Sequence, residues 1–268
     1  MPLGRRMIFV LLEVKDLNIS LASGKCVAEH ISFRLGQGEM LSIVGSSGAG
    51  KTTICKAIMG LLGNTYRADG EILFQGEDLL DLPERERQII YGKEICMIMQ
   101  NPMTAFNPSI RVGRQMEKTY LLHHGKTPRQ EMQRLFAAIL QKLGLEDTQR
   151  ILNSYPFTLS GGMLQRLMIA AALMCQPSLL VADEATTAID ACNRIGLMRE
   201  LKSFCKEGMS VLFVTHDLRS ASVSDRILVM DRGQIVEQDT TERILNAPKE
   251  DYTKYLLNAC RLERRKMP

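Results

Sequence analysis

The stretch Gly45-Ser46-Ser47-Gly48-Ala49-Gly50-Lys51-Thr52 decides the fold. It follows the apolar run at residues 40–44 and precedes a helical pattern, in the G-x-x-x-x-G-K-[ST] spacing of a phosphate-binding loop. Glycines allow backbone N–H groups to close around phosphates at a helix N-terminus, where the helix dipole favours anions. In such a loop Lys51 is expected to reach the β- and γ-phosphates, and Thr52 is expected to hold Mg²⁺.

A second apolar run, residues 179–184, ends in Asp183 and Glu184. Such a run is typical of a strand buried inside a parallel sheet. Asp183 at the strand end suits the water shell of a metal ion, and Glu184, which points in another direction, suits polarisation of an attacking water. Taken alone, the pair is equally explained as a helix N-cap with a first-turn acid. Together with the phosphate loop, it favours a metal and hydrolysis site.

Strand-like and helix-like patterns alternate along the chain, which indicates α/β layering around a largely parallel sheet. We predict strands at 11–16, 40–44, 71–74, 95–99, 179–182, 211–215, 227–230 and 234–237, the last two joined by the turn Asp231-Arg232-Gly233. Helices are predicted after Lys51, Leu164, Cys192 and Arg219.

The strand pattern disappears between Pro102 and Pro156. There Thr127-Pro128 predicts a helix start, with Gln130 at the capping-box position. The apolar residues of this helix share one face: Met132, Leu135, Phe136, Ile139, Leu140 and Leu143. We therefore expect a helical insert to interrupt the α/β core.

The composition is that of a globular protein: 268 residues, of which 45% are hydrophobic and 24% charged. A net charge of +4, with no basic block outside the last eight residues, does not favour nucleic acid as a partner. The seven cysteines contain no C-x-x-C pair, which favours a reducing, cytosolic compartment over disulfides or zinc. The longest purely apolar run has nine residues, 167–175, against about 20 for a membrane-spanning helix. Arg5-Arg6 and the apolar residues after them mimic a signal peptide, but charges from Glu13 onward favour a strand, and the true start is either Met1 or Met7.

The chain resembles an ATP-binding cassette (ABC) ATPase over about residues 11–260. The resemblance is carried by the two motifs above together with Gln100, Leu159-Ser160-Gly161-Gly162-Met163, Ala188-Ile189-Asp190 and His216, in the order and spacing of that family. It implies an α/β P-loop NTPase core of the ABC type with an antiparallel β subdomain and an inserted α-helical subdomain. The core with its β subdomain is then expected at 7–100 and 157–240, the helical subdomain at 101–156, and a C-terminal tail at 241–268.

The resemblance also implies the roles of individual residues, with ATP and Mg²⁺ as the bound groups. Glu184, His216 and Gln100 are the implied catalytic residues, and Mg²⁺ is implied at Thr52, Gln100 and Asp183. His216, which read alone is an ordinary strand-end histidine, is implied to contact the γ-phosphate and to orient Glu184 and water. The implied ATP-binding residues are Gly45, Ser46, Ser47, Gly48, Ala49, Gly50, Lys51, Thr52 and Thr53.

The segment Leu159-Ser160-Gly161-Gly162-Met163 opens a helical pattern, which places a hydroxyl and bare amides at a positive helix end suited to a γ-phosphate. It lies about 110 residues after Lys51, and in the family it acts on the partner subunit's ATP. The resemblance thus implies a head-to-tail dimer of identical or different ATPase chains. It also implies two membrane permease subunits gripped by the helical insert, an external solute-binding protein as an indirect partner, and a peripheral location on the cytoplasmic face of the cell membrane.

Within the family, residues 98–108, 155–157, 162–166 and the tail at 247–257 resemble the ATPases of peptide and nickel importers. Phe106 and the run Gly-Gly-Met-Leu-Gln-Arg at 161–166 favour a nickel or metal-chelate importer. A di- or oligopeptide importer is the first alternative. A soluble ABC ATPase outside transport, and a regulatory module without turnover, are the others.

Two positions and one segment depart from the family pattern. Ala185 replaces the usual proline after the catalytic glutamate, and Ile189 replaces a leucine. No aromatic residue lies near residues 21–23, where the family stacks adenine, so weaker or less purine-selective binding is expected. The sixteen methionines are best explained as core filling.

Overall fold

The computed structural model describes residues 9–185 and 191–265. The strands are β1 (Val10–Leu21), β2 (Cys26–Gly36), β3 (Met40–Gly45), β4 (Tyr66–Phe74), β5 (Glu77–Asp78), β6 (Ile95–Ile98), β7 (Leu179–Asp183), β8 (Ser210–Thr215), β9 (Arg226–Asp231) and β10 (Gln234–Thr240). The α-helices are α1 (Lys51–Ile58), α2 (Glu84–Ile90), α3 (Val112–His124), α4 (Arg129–Lys142), α5 (Thr148–Asn153), α6 (Gly161–Met174), α7 (Ala191–Cys205), α8 (Leu218–Ala221), α9 (Thr241–Asn246) and α10 (Asp251–Arg265).

The larger sheet has six strands in the order β10-β9-β3-β8-β7-β6. Its neighbours pair in parallel from β9 to β6, and β10 joins β9 in an antiparallel turn through residues 231–234. This confirms the predicted largely parallel sheet and the predicted β9–β10 turn. Strand β3, which leads into the phosphate loop, lies near the middle of the sheet.

Both faces of this sheet are buried, because successive residues of a strand point to opposite sides. In β8, Val211 and Phe213 join the apolar cluster on the side of α4 and α6, whereas Leu212 and Val214 join the cluster that includes α1 and the smaller sheet. The continuous apolar runs read from the sequence are thus explained by two-sided packing.

The smaller sheet is antiparallel, in the order β2-β1-β4-β5. Strand β1 extends beyond its predicted end at residue 16. The sequence pattern stops there because Asp16 adopts φ 44° and the register shifts between Val14 and Leu17. After this bulge the chain continues as a strand to Leu21. Strand β2 was not predicted. Its apolar alternation is broken at His30, which adopts φ 51°, so the two halves of β2 follow different phases.

The predicted helical insert is confirmed as α3, α4 and α5. The predicted apolar face of α4 packs into the core through Met132, Phe136, Ile139 and Leu140. The predicted capping box is wrong: the N-cap residue is Pro128, and no side chain caps the helix. The helix predicted after Arg219 is a single turn, α8, that starts at Leu218.

A third apolar cluster joins the C-terminal segment to the main sheet. Leu257 of α10 and Ile244 of α9 pack there with Val44, which directly precedes the phosphate loop, and with Leu218 of α8. The C-terminal helices are thus part of the packed fold. In residues 9–185 and 191–265, no helix combines the length and the apolar character needed to cross a membrane.

Candidate active site

Four strand ends bring the phosphate loop, Glu184, His216 and Gln100 to one edge of the six-stranded sheet. The phosphate loop follows β3, Glu184 follows β7 and His216 follows β8, while Gln100 comes two residues after β6. These strands are parallel, so their carboxyl ends meet at the same edge, which is where open α/β sheets bind ligands.

The phosphate loop packs so tightly that two of its positions require glycine. A Cβ on Gly45 would lie 2.3 Å from the carbonyl oxygen of Met230 in β9. Gly50, the N-cap residue of α1, adopts φ 94°, and a Cβ there would lie 2.8 Å from the carbonyl oxygen of Val27. The loop backbone is therefore pressed against β9 on one side and β2 on the other.

Lys51 lies over the loop with its ammonium group inside the fold. Its Nζ donates hydrogen bonds to the carbonyl oxygens of Gly45 at 2.8 Å and Ser46 at 2.7 Å. The residue is only 5% exposed, and burial lowers the pKa of Lys51 against the opposing effect of the charges on Glu184 and Asp183. The loop thus holds a cation among its own carbonyls, at the start of α1.

Thr52 and Asp183 form a pair of oxygen ligands beside the loop. The Thr52 hydroxyl donates a hydrogen bond to Asp183 Oδ1 at 3.1 Å. Burial raises the pKa of the Asp183 carboxyl, against the lowering effect of that hydrogen bond. Among residues 9–185 and 191–265, no cluster of three His, Cys, Asp or Glu side chains could hold a metal by itself. One carboxylate, one hydroxyl and the oxygens of a bound phosphate are nevertheless the donor set that Mg²⁺ commonly takes, so the residues fit Mg²⁺.

Both carboxylate oxygens of Glu184 have partners from other strands. Gln100 Nε2 donates a hydrogen bond to Oε2 at 2.8 Å, and His216 Nδ1 lies 3.3 Å from Oε1. The backbone of Glu184 adopts φ 48°, and its N–H donates to the carbonyl of Val214 in β8. A non-glycine residue in this region is strained, and such strain is often found at functional sites.

A cavity of about 240 Å³ lies between the loop and the side chains of Gln100 and Glu184. It is lined by Ser47, Gly48, Gly50, Lys51, Thr52, Thr53, Gln100 and Glu184. The predicted segment Leu159-Ser160-Gly161-Gly162-Met163 does not line it. Ser160 is instead the N-cap of α6 and accepts a hydrogen bond from the Met163 N–H at 3.3 Å, so this segment does open a helix. Ala188-Ile189-Asp190 lies outside the described residues.

One contact to the loop was missed by the sequence reasoning. The hydroxyl of Tyr252, in α10, accepts a hydrogen bond from the Ser46 backbone N–H at 3.1 Å. The tail motif that contains Tyr252 marks the importer subfamily, but it carries no signal for a contact across 206 residues.

Comparison with known proteins identifies the family of the chain. Residues 28–187 match the family model described as ABC transporter. The chain is 41% identical over 251 residues to the metal-staphylopine import system ATP-binding protein CntD of Staphylococcus aureus, covering 92% of each chain. It is 42% identical over 254 residues to the oligopeptide transport ATP-binding protein OppD of Bacillus subtilis, covering 92% of this chain and 71% of OppD.

Solved structures share the fold. The chain matches the dimeric structure of the ATP-binding cassette MJ0796 in a post-hydrolysis state with ADP and Pi, with a TM-score of 0.76, 26% identity, and coverage of 86% of this chain and 98% of that one. On the family match, the identity to these relatives and the shared fold, the chain belongs to the ABC transporter ATPases, in the subfamily of the peptide and metal-chelate importers.

Proposed function

We propose that this chain binds ATP with Mg²⁺ at the edge of its six-stranded sheet and uses hydrolysis to drive import of nickel or a metal chelate through separate permease subunits. The observation that carries the proposal is the convergence of three groups at that edge. They are the Lys51 ammonium in the loop, the Thr52–Asp183 pair, and Glu184 held between Gln100 and His216.

Binding of the triphosphate falls to the loop and the start of α1. The amides of residues 47–52 and the positive end of α1 attract the phosphates, and the Lys51 ammonium can exchange its two carbonyl partners for β- and γ-phosphate oxygens. Thr52, Asp183 and Gln100 would hold Mg²⁺, which neutralises phosphate charge when bound. Burial raises the pKa of Asp183 because it disfavours the charged carboxylate, and a bound cation would offset that charge.

Hydrolysis requires a group that accepts a proton from water as the water oxygen bonds to the γ-phosphorus and the bridging oxygen leaves with ADP. Glu184 is assigned that role because it lines the cavity and both of its oxygens are fixed in direction. Gln100 orients it by donating a hydrogen bond, and His216, directly after β8, contacts it from the other side. General base catalysis of this kind contributes about 10²- to 10⁴-fold to the rate.

The site is completed by a second ATPase chain in this proposal. Leu159, Ser160, Gly161, Gly162 and Met163 do not line the cavity of their own chain, although Ser160 presents a hydroxyl at the start of the 14-residue helix α6. A head-to-tail pair would place this helix end against the partner's γ-phosphate. The solved cassette with ADP and Pi, to which the chain is similar, is dimeric.

The helical region is the proposed docking face for the permease subunits. Large apolar side chains near its start and end are exposed, among them Met103, Ile110 and Phe157. Phe157 also stacks on the exposed ring of Tyr155, with ring centroids 5.6 Å apart, and grouped exposed apolar side chains mark interaction surfaces. Docking there would hold the chain at the cytoplasmic face of the membrane and connect it indirectly to an external solute-binding protein. We propose no nucleic-acid partner for this chain.

The cargo is supported by similarity alone. The metal-staphylopine and oligopeptide relatives are about equally identical to this chain, at 41% and 42%, so a di- or oligopeptide importer is the second candidate. In the sequence, Phe106 favours a nickel or metal-chelate importer. In the structure its side chain is buried in the apolar cluster that includes the helical region, so it does not contact cargo. The proposed cargo remains nickel or a metal chelate, because the sequence around residues 98–108 and 161–166 resembles that of metal importers.

The test is cargo-dependent transport by the complex purified from membranes with its permease subunits and placed in vesicles. ATP-driven uptake of Ni²⁺ or a Ni²⁺ chelate, with no uptake of a labelled dipeptide, is the expected result. A Lys51→Ala complex should take up neither, because the loop then lacks its cation. Uptake of the dipeptide alone would overturn the metal proposal, and purification with nucleic acid in place of membrane subunits would overturn transport.

A further inference from the structure

We propose that Tyr252 is a positioning residue of the ATP site, and that through it helix α10 holds the phosphate loop in its binding conformation. This inference rests on the proposed function, because it concerns the same loop. It begins from one hydrogen bond, in which the Ser46 N–H donates to the Tyr252 hydroxyl at 3.1 Å.

The bonded N–H belongs to the same peptide unit as a carbonyl that Lys51 uses. The Gly45 carbonyl accepts from Lys51 Nζ at 2.8 Å, and the Ser46 N–H of that unit donates to Tyr252. In a trans peptide unit, the C=O and N–H groups point in opposite directions. Before nucleotide binds, Lys51 and Tyr252 therefore hold one peptide plane from its two sides; when Lys51 turns to the phosphates, the Tyr252 hydroxyl still holds the N–H side.

This peptide unit is the hinge between a rigid strand and the loop. Gly45 ends β3, where it is pressed against Met230, and Ser46 is the first exposed residue of the loop. The Ser46 carbonyl also accepts hydrogen bonds from the Ala49 N–H and from Lys51 Nζ. Rotation of the 45–46 plane would thus redirect the carbonyls that hold Lys51 and displace the loop amides beyond them.

Helix α10 is anchored well enough to act as a support. Near its start, the Glu237 carboxylate accepts hydrogen bonds from the N–H groups of Lys249 at 2.9 Å and Glu250 at 3.2 Å. Along its length, Leu257 belongs to the apolar cluster that also contains Val44, the residue directly before Gly45. The Tyr252 hydroxyl, carried by this anchored helix, therefore keeps its position relative to the loop.

The same helix also reaches the segment that follows His216. Arg219 Nη2 donates a hydrogen bond to the Cys260 carbonyl at 2.7 Å, and Leu218 joins the apolar cluster with Leu257. Arg219 lies three residues after His216, whose Nδ1 faces Glu184. Helix α10 therefore contacts both the start of the phosphate loop and the segment after His216, and the Tyr252 hydroxyl is its direct link to the loop.

The test compares Tyr252→Phe with Tyr255→Phe in the full chain. Tyr255 lies one turn along α10, stacks on Tyr252 with ring centroids 6.4 Å apart, and is 66% exposed, so its hydroxyl is a matched control. Tyr252→Phe removes one hydroxyl and keeps the ring. The affinity for ATP and for ADP should fall about two- to tenfold relative to Tyr255→Phe, the effect of one net hydrogen bond.

Amide hydrogen exchange distinguishes a positioning role of Tyr252 from a purely structural contact. By linkage, a helix that favours the binding conformation of the loop must itself be stabilised by nucleotide. Adding ADP to the unaltered chain should therefore slow amide exchange in residues 250–258, and this slowing should shrink in Tyr252→Phe but not in Tyr255→Phe. A merely structural contact would leave exchange in this segment independent of nucleotide.

The outcomes are distinguishable from failure of the proposed function. If the unaltered chain binds no ATP, the proposed function fails. If the unaltered chain binds ATP, Lys51→Ala does not, and Tyr252→Phe binds as tightly as Tyr255→Phe with unchanged exchange in α10, this inference alone is overturned. A lower melting temperature for Tyr252→Phe together with unaltered nucleotide affinity would likewise assign the hydroxyl to stability and overturn it.

Discussion

Glu184 is held by Gln100 from one side and by His216 from the other, and a glutamine at this position keeps the shape of the side chain. Glu184→Gln should bind ATP with Mg²⁺ as the unaltered chain does, because the loop and Lys51 are untouched. It should turn over about 10² to 10⁴ times more slowly, since an amide does not accept a proton from water. Steady-state ATP hydrolysis and nucleotide titration measure the two effects separately.

The matched control is Glu207→Gln, which changes an exposed glutamate that pairs with Lys142 far from the cavity. It should retain full turnover, because exposed ion pairs contribute little. A loss smaller than about tenfold in Glu184→Gln would be too small for a general base and would move that role to His216.

The missing aromatic residue near residues 21–23 gives a second prediction at this scale. The turn after β1 leads into Val27, whose carbonyl lies against Gly50 of the loop, and Ala22 in that turn is exposed. Ala22→Tyr should tighten ATP binding by several-fold, because stacking of a base on an aromatic ring contributes about 1 to 3 kcal/mol. Competition titrations with ATP, GTP and inorganic tripolyphosphate measure it. Tripolyphosphate has no base and is the control, so equal tightening of all three would contradict stacking.

Individual site residues were largely predictable because each belongs to a short local pattern. The loop follows its strand directly, and Asp183 and Glu184 close an apolar run. Tyr252 was not predictable as part of the site, since its contact joins positions 206 residues apart and depends on how α10 packs. Sequence periodicity places a residue on a face of its helix but does not say which loop that face meets.

At the scale of elements, the tightest constraint is the contact between β3 and β9 at Gly45. Gly45→Ala places a Cβ 2.3 Å from the Met230 carbonyl oxygen, so the strands must separate or the loop must move. Overpacking of this kind costs about 1 to 3 kcal/mol, which at about 2–4 °C per kcal/mol lowers the melting temperature by several degrees. Thermal unfolding measures it.

Gly63→Ala is the control, because a Cβ there meets no atom within 4 Å and its φ lies outside the positive range. It should leave the melting temperature unchanged or slightly raised, since alanine restricts the unfolded chain. If both variants melt alike, the contact between Gly45 and β9 is looser than described.

Elements were predicted best where the strand pattern is uninterrupted. The strands β3, β7 and β8 are buried on both faces, so every residue in them except Asp183 at the end of β7 is apolar or small. In β1 and β2 the left-handed residues Asp16 and His30 shift the alternation by one position, and a period-2 pattern does not continue across such a bulge. Short elements such as α8 lie below the length at which periodicity is informative.

At the scale of the whole molecule, the proposed dimer predicts that one substitution at Ser160 blocks dimerisation without blocking ATP binding. Ser160→Arg should leave ATP binding by the isolated chain nearly intact, because the segment does not line its own cavity. It should block ATP-driven dimerisation, since a bulky cation would occupy the helix end where the partner's γ-phosphate must dock. Ser160→Asp is a second variant that keeps a good N-cap for α6, and it should block dimerisation by charge repulsion.

Mixing two inactive chains sharpens this last prediction. In a homodimer of one Lys51→Ala chain and one Ser160→Arg chain, the defective loop faces the defective helix end, so both changes fall in one site and the other site is intact. ATP hydrolysis should reappear on mixing if one site turns over alone, and should stay absent if the two sites are strictly coupled. The deciding experiment uses the Ser160→Arg chain alone. Titration measures its nucleotide affinity, and light scattering measures its dimerisation. Equal loss of both would show that residues 159–163 serve their own chain's site and that the head-to-tail arrangement is wrong.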